Sequence, residues 1–217
     1  MTSNKKPVLL IDYGGVLVDL TPERCFSAFD SLGINIRPYL DLCHQRGILS
    51  QLERGLIEPH DLCEELRRAS GATKVSDEEI YKAFYLFVEK IQPERLQTLY
   101  AASQHYDIAL LSNTNRIHWG QANPDFFILG GENMLNRFCK VFLSFELHLM
   151  KPSAEIFDIV VRELDRKPED IIFFDDSELN CQAAAELGIR TIHAELHGGW
   201  LRHFETDGHL RPTALCK

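Results

Sequence analysis

The 217-residue chain has no apolar run approaching the roughly 18 residues that a helix needs to cross a bilayer, and its amino terminus lacks the apolar centre of a secretory leader. Neither membrane insertion nor export is expected. Basic charge is also short, with 23 Lys and Arg against 32 Asp and Glu for a net charge of -9. A chain of that sign offers no broad face to nucleic acid or to an anionic membrane. The six cysteines include no C-x-x-C pair or other metal-like spacing, so they read as reduced thiols and the expected compartment is the cytoplasm. Internal repeats and low-complexity linkers are missing too. With 45% hydrophobic and 25% charged residues, disorder is not expected either. What remains is a globular chain long enough for one good core and a small second unit.

Three short apolar runs end in polar chemistry. Pro7-Val8-Leu9-Leu10-Ile11 stops at Asp12, which Tyr13-Gly14-Gly15 follows; Ile108-Ala109-Leu110-Leu111 stops at Ser112-Asn113-Thr114-Asn115; Ile171-Ile172-Phe173-Phe174 stops at Asp175-Asp176-Ser177. Such runs fit strands buried on both faces. Taken singly, Asp before glycine is common turn chemistry and Ser-Asn a common loop start. Three such ends read differently, because a parallel sheet brings them to one edge, where open α/β sheets bind ligands. Adjacent carboxylates near a third repel strongly unless a cation lies among them, and an all-oxygen set suits Mg²⁺. Lys151 adds a positive charge just before an expected helix. His193 and His197 stand at i, i+4, but Gly198-Gly199 follow and no carboxylate supports a zinc site.

Between the first and second runs the periodicity is helical throughout. Thr21 as N-cap and Pro22 behind it open one helix, which Gly33 stops; others are expected over residues 39–46, 59–69 and 77–90. Ser76 and Glu79 give the last a capping box, and its stripe Ile80, Phe84, Phe87, Val88, Ile91 reads as core. Residues 21–92 are thus expected to form an inserted helical unit, with 1–20 and 93–217 forming the body. In the body, helices at 94–104, 153–164 and 180–187 alternate with strands at 108–111, 141–144, 171–174 and an outermost 190–194. Alternation implies a parallel sheet with right-handed crossovers. The expected class is α/β, a Rossmann-like parallel sheet with helices on both faces and an inserted α-helical cap. The polar-aromatic stretch 119–138 follows no pattern and is expected near the site entrance. Cys139 and Cys181 are expected to pack in a strand and a helix.

Asp12-Tyr13-Gly14-Gly15-Val16-Leu17, Leu111-Ser112-Asn113-Thr114-Asn115, Lys151-Pro152 and Phe173-Phe174-Asp175-Asp176-Ser177-Glu178-Leu179-Asn180 resemble, in order and spacing, the four motifs of the haloacid dehalogenase superfamily. The likeness covers nearly the whole chain. It is greatest to small phosphatases with an inserted helical cap, those of the α-glucose-1-phosphate type and the amino-terminal phosphatase domain of soluble epoxide hydrolases. The resemblance implies a Mg²⁺-dependent phosphatase of a small phosphorylated metabolite, a sugar phosphate foremost. It makes Asp12 the nucleophile that forms an aspartyl phosphate, and gives the metal to Asp12, the Gly14 carbonyl and Asp176, with Asp175 and Asn180 in support. Ser112 and the Asn113 amide would hold the phosphoryl oxygens, and Lys151 would neutralise nucleophile and phosphate. A carboxylate is a competent nucleophile once the anionic phosphate is neutralised.

One position departs from the superfamily's pattern. Its first motif usually carries a second aspartate two residues after the nucleophile, as acid to the leaving group and base to water; this chain has Gly14 there. The departure predicts a preference for leaving groups of low pKa, unless a cap residue or an ordered water replaces the acid. Two other functions compete with the phosphatase: a 2-haloacid dehalogenase, which also lacks that aspartate, and a binding protein that keeps the fold. Asp175-Asp176 weighs against the dehalogenase, which needs no metal.

Overall fold

The computed structural model describes residues 5–40 and 47–215. In chain order the elements are β1 (Val8–Ile11), α1 (Pro22–Ser31), α2 (Gly47–Glu53), α3 (Pro59–Ser70), α4 (Asp77–Tyr85), α5 (Pro93–Ala102), β2 (Asp107–Ser112), α6 (Arg116–Asp125), β3 (Ile128–Leu129), β4 (Glu132–Asn133), β5 (Phe138–Leu143), α7 (Ser144–Leu147), α8 (Ala154–Leu164), β6 (Ile171–Asp175), α9 (Glu178–Glu186) and β7 (Arg190–His193). Five strands pair in parallel in the order β5-β2-β1-β6-β7, so β1 lies at the centre and β7 at one edge. Side chains alternate across this sheet. Val8, Leu10, Ala109, Leu111 and Phe173 pack with Ile156, Phe157 and Val160 of α8 on one face. Leu9, Ile11, Leu110 and Phe174 pack on the other, in a cluster that continues through α5 into α1–α4. The α/β class with helices on both faces is therefore present as expected.

The helical stretch after β1 runs shorter than its periodicity. The helix expected over 77–90 stops at Tyr85, because the chain there turns back toward the sheet. The Phe87 carbonyl accepts from the Thr21 amide, and Val88 bridges Leu20, which ties the entry of the segment to its exit. Thr21 precedes α1 without capping it through its side chain; its hydroxyl donates to the Leu86 carbonyl instead. The Ser76–Glu79 capping box is present. Most of the helix expected at 39–46 lies outside the described residues, and α2 follows it at Gly47.

Beyond β2, the unpatterned stretch 119–138 comprises the end of α6, an antiparallel β3–β4 pair and a 3-10 turn at Met134–Arg137. Trp119 and Phe127 from it pack against Tyr13. Edge strand β5 begins at Phe138, not 141; its first half is largely exposed, so it carries no apolar run to read. For the same reason Cys139 is exposed, contrary to expectation, whereas Cys181 is buried in α9. Ser144 opens α7 instead of ending the strand. No helix among the described residues is long and apolar enough to cross a membrane.

The turn after α2 seats this segment on the sheet. Gly55 has φ +63°, and a Cβ there would stand 2.1 Å from the Phe145 carbonyl oxygen. Any side chain would strain the backbone and push against a backbone atom. Gly55→Ala should destabilise the protein by at least about 2 kcal/mol, measured by urea or thermal unfolding.

Candidate active site

The ends of β1, β2 and β6 bring their polar residues together on one edge of the sheet, around a cavity of about 680 Å³. Oxygens of Asp12, Asp175 and Asp176 lie within 4.8 Å of one another. Among them sits Lys151, only 4% exposed. Its ammonium lies 2.8 Å from Asp12 Oδ1 and 2.6 Å from Asp175 Oδ2, and donates to the Leu111 carbonyl at 3.1 Å. All three ammonium protons are thereby used. Asn113 fixes this lysine through its backbone: the Lys151 amide donates to Asn113 Oδ1 and the Asn113 Nδ2 donates to the Lys151 carbonyl, both at 2.9 Å. The Asn113 side chain is therefore a positioning group.

The three carboxylates differ in how much of each is taken. Asp175 is fully enclosed: Oδ1 accepts from the Ser177 amide and from Asn180 Nδ2, and Oδ2 from Lys151. Asp12 Oδ1 accepts from Lys151 and the Tyr13 amide, while Oδ2 receives no hydrogen bond among the described residues. The half-buried Asp176 carboxylate accepts from no other described residue, and neither does the Gly14 carbonyl. Asp176 leans over Gly15, where a Cβ would come within 2.4 Å of its Oδ2. Only glycine fits that approach, at φ +74°. Ser112 is fully buried and its hydroxyl has no partner among the described residues.

The charge balance is uneven, three carboxyls to one ammonium. Burial raises the Asp12 carboxyl well above its ordinary value; Lys151 opposes this, and Asp175 and Asp176 add to it. Asp176 is raised by burial and then by Asp175. For Lys151, burial works against the charge, but the two carboxylates outweigh it and raise the ammonium. Such a set calls for further positive charge, and its open donors are all oxygens. Those are the donors that a hard divalent cation such as Mg²⁺ takes.

Three groups on this cavity were not singled out from the sequence. Glu53, at the end of α2, is 9% exposed, and burial pushes its carboxyl up to about 8. Arg54 follows it on the cavity wall, its carbonyl accepting from His148. His118 of α6 is buried, and burial pushes it down to about 4. Its Nε2 donates to the Phe84 carbonyl at 3.2 Å, which leaves Nδ1 to accept from Asn115 Nδ2 at 3.3 Å. The imidazole is thus neutral and bridges α4 to the loop after β2. A single Glu or His in a helical pattern carries no signal of this kind, since it is the packing that creates it. His193 sits on the wall with Nε2 on the Asp176 carbonyl, while His197 pairs with Asp19, so the two do not form a site.

His118 makes stability depend on acid. Its folded pKa is depressed, so it stabilises the protein above the unfolded value of about 6.5, and that contribution is lost as pH falls toward 4. Against a His118→Gln variant, the wild type should lose about 3 kcal/mol across that window, measured by urea unfolding at pH 7.5 and 4.5.

The haloacid dehalogenase-like hydrolase family matches residues 7–188. A D-ribitol-5-phosphate phosphatase of Bacteroides thetaiotaomicron is 31% identical over 195 residues, which cover 88% of this chain and 93% of that protein. Among solved structures, a HAD family enzyme of the same organism, in complex with magnesium and inorganic phosphate, superimposes with a TM-score of 0.86. It is 37% identical and covers 92% of this chain and 100% of that one. A HAD-like family hydrolase of Porphyromonas gingivalis gives a TM-score of 0.81 at 29% identity, over 91% of this chain and 95% of that one. With its four motifs gathered at one sheet edge and these relatives along nearly its whole length, the chain belongs to the haloacid dehalogenase-like hydrolase family.

Proposed function

We propose that this chain is a Mg²⁺-dependent phosphatase of a small phosphorylated polyol or sugar, working through a phosphorylated Asp12. The observation that carries the reading is the enclosed charge set: three carboxyls share one lysine, with free oxygens on Asp12 and Asp176 facing a cavity of metabolite size. The phosphatase relative, and the neighbour crystallised with magnesium and inorganic phosphate, support the substrate class and the metal.

In this reading Asp12, the Gly14 carbonyl and Asp176 hold Mg²⁺, with Asp175 and Asn180 fixing the geometry from behind. The bound ion would offset the phosphate's negative charge, which otherwise repels a carboxylate nucleophile. Asp12 Oδ2 attacks phosphorus while Lys151 holds Oδ1 in place. The unpartnered Ser112 hydroxyl and the Asn113 amide donate to phosphoryl oxygens, where preformed donors contribute most. Residues 21–92 serve as a cap over a body of 1–20 and 93–217, and choose the substrate through the cavity wall they supply. The thiols of Cys25, Cys63 and Cys139, none of them in a disulfide, suit a reducing compartment, which supports a cytoplasmic enzyme. The acidic net charge supports a small-molecule substrate and no nucleic acid. A dehalogenase would have no use for the metal-binding oxygens of Asp176.

Purified protein should hydrolyse p-nitrophenyl phosphate and D-ribitol 5-phosphate with Mg²⁺ and release no halide from 2-chloropropionate. No phosphate release, with or without Mg²⁺, would sink the reading. Asp176→Ala should abolish Mg²⁺-dependent turnover and weaken Mg²⁺ binding in calorimetry while leaving the unfolding transition in place. Asp12→Asn should form no covalent phosphoryl adduct by mass spectrometry, because an amide is a poor nucleophile; an adduct on any other residue would refute Asp12's role.

A further inference from the structure

Loss of the usual acid at Gly14 leaves an alkyl phosphate without a proton for its leaving oxygen. Nothing near Gly14 substitutes for it locally: a Cβ built there would touch only Leu20, at 3.6 Å. The other ionisable groups on the cavity are engaged or unsuited. Asp175 is saturated, Lys151 has spent its three protons, and His118 is neutral with both ring nitrogens bonded. The Tyr13 hydroxyl also lacks a partner among the described residues, but burial raises its phenol above the ordinary value and so makes it a weaker acid than a carboxyl. His193 has Nε2 on the Asp176 carbonyl, and Arg54 and Glu178 are exposed to solvent. Asp12 and Asp176 are the nucleophile and a metal ligand.

Glu53 is the exception. It borders the same cavity as Asp12 and Gly14, is nine-tenths buried, and its Oε2 has no hydrogen-bond partner among the described residues. No cation pairs with it among the described residues. Its backbone is fixed from the body: the Ser144 hydroxyl lies 2.6 Å from the Glu53 carbonyl and accepts from the Thr114 amide at 2.9 Å. Two residues on, Gly55 is pressed against Phe145. The carboxyl is therefore held in place without being used by the fold.

We propose that Glu53 is the proton donor and acceptor that this chain lacks at Gly14, serving the leaving oxygen from the helical segment across the cavity. The role rests on the phosphatase reading above. Its protonated state follows from burial, which pushes the carboxyl up to about 8, with no cationic partner among the described residues. In the first step the bond from Asp12 Oδ2 to phosphorus forms and the ester P–O bond breaks. Its electron pair stays on the alcohol oxygen, which takes the Glu53 proton and leaves as neutral alcohol. In the second step water bonds to phosphorus and gives a proton to the Glu53 carboxylate. The phosphorus–Asp12 bond breaks with its electrons returning to Asp12, and phosphate departs.

The test compares kcat/KM, which reports events up to alcohol release, for D-ribitol 5-phosphate and p-nitrophenyl phosphate with Mg²⁺. Glu53→Gln keeps shape and backbone but holds no transferable proton. It should lower kcat/KM for the alkyl ester by about 10² to 10⁴-fold and leave that for the aryl ester, whose leaving group needs no proton, nearly unchanged. With the aryl ester the variant should also accumulate phosphorylated Asp12 in the mass spectrum, since the base for the second step is gone. Equal losses on both esters would make Glu53 a binding or structural residue and overturn the proposal. An unchanged alkyl kcat/KM would overturn it too. A wild type that hydrolyses neither ester overturns the phosphatase reading itself, and this role with it. Carboxyl ¹³C NMR of the Mg²⁺-loaded wild type gives a check that needs no variant. Glu53 should be protonated at pH 7; an ionised carboxylate there would end the proposal.

Discussion

Lys151 sits between Asp12 and Asp175 at 2.8 and 2.6 Å, with its third proton on the Leu111 carbonyl, and the packing of the sheet edge depends on it. Removing a buried charge from its partners costs several kcal/mol, and here one ammonium serves two carboxylates on two different strands. Asn113 holds the lysine's backbone at both its amide and its carbonyl, so the loop after β2 decides where the charge falls. Asp175 is consumed in the same network. That leaves Asp12 with one bound oxygen and one open oxygen, the fixed orientation that the proposed nucleophile needs.

The helical segment reaches this edge by few but specific contacts. Ser144 joins the loop after β2 to Glu53; His118 joins it to Phe84 and stacks on Phe87; Leu20 and Val88 tie the segment's two ends together. The buried cluster runs without a break from the sheet into α1–α4. The cavity consequently has two kinds of wall. One carries Asp12, Lys151 and Asp176, and the other carries Leu49, Phe84, Phe87 and Val88 with the buried acid Glu53. The two walls come from separate stretches of chain, which on the proposed function separates chemistry from choice of substrate.

The residues at the sheet edge were legible because each follows a buried strand. Short apolar runs at residues 8–11, 108–111 and 171–174 allow one placement, and a parallel sheet then brings Asp12, Ser112, Asp175 and Asp176 to a common edge. Where the run was missing, reading failed: β5 is an edge strand exposed over its first half, so its start and the exposure of Cys139 went unread. The length of α4 failed for a different reason. Its apolar stripe continues past Tyr85, but residues 87 and 88 use their burial to pair with 20 and 21, which periodicity does not distinguish from another turn of helix.

The sequence by itself thus determined the α/β class, the order of the four motifs and the identity of the charged groups, because local pattern and strand ends are written in neighbouring residues. Tertiary structure alone decided that the Asn113 side chain serves Lys151, that His118 is neutral, and that Glu53 is buried on the cavity wall with no cation beside it among the described residues. The physical reason is that protonation and hydrogen-bond partnership depend on what surrounds a side chain. For Glu53, that surrounding comes partly from Ser144, ninety-one residues away along the chain.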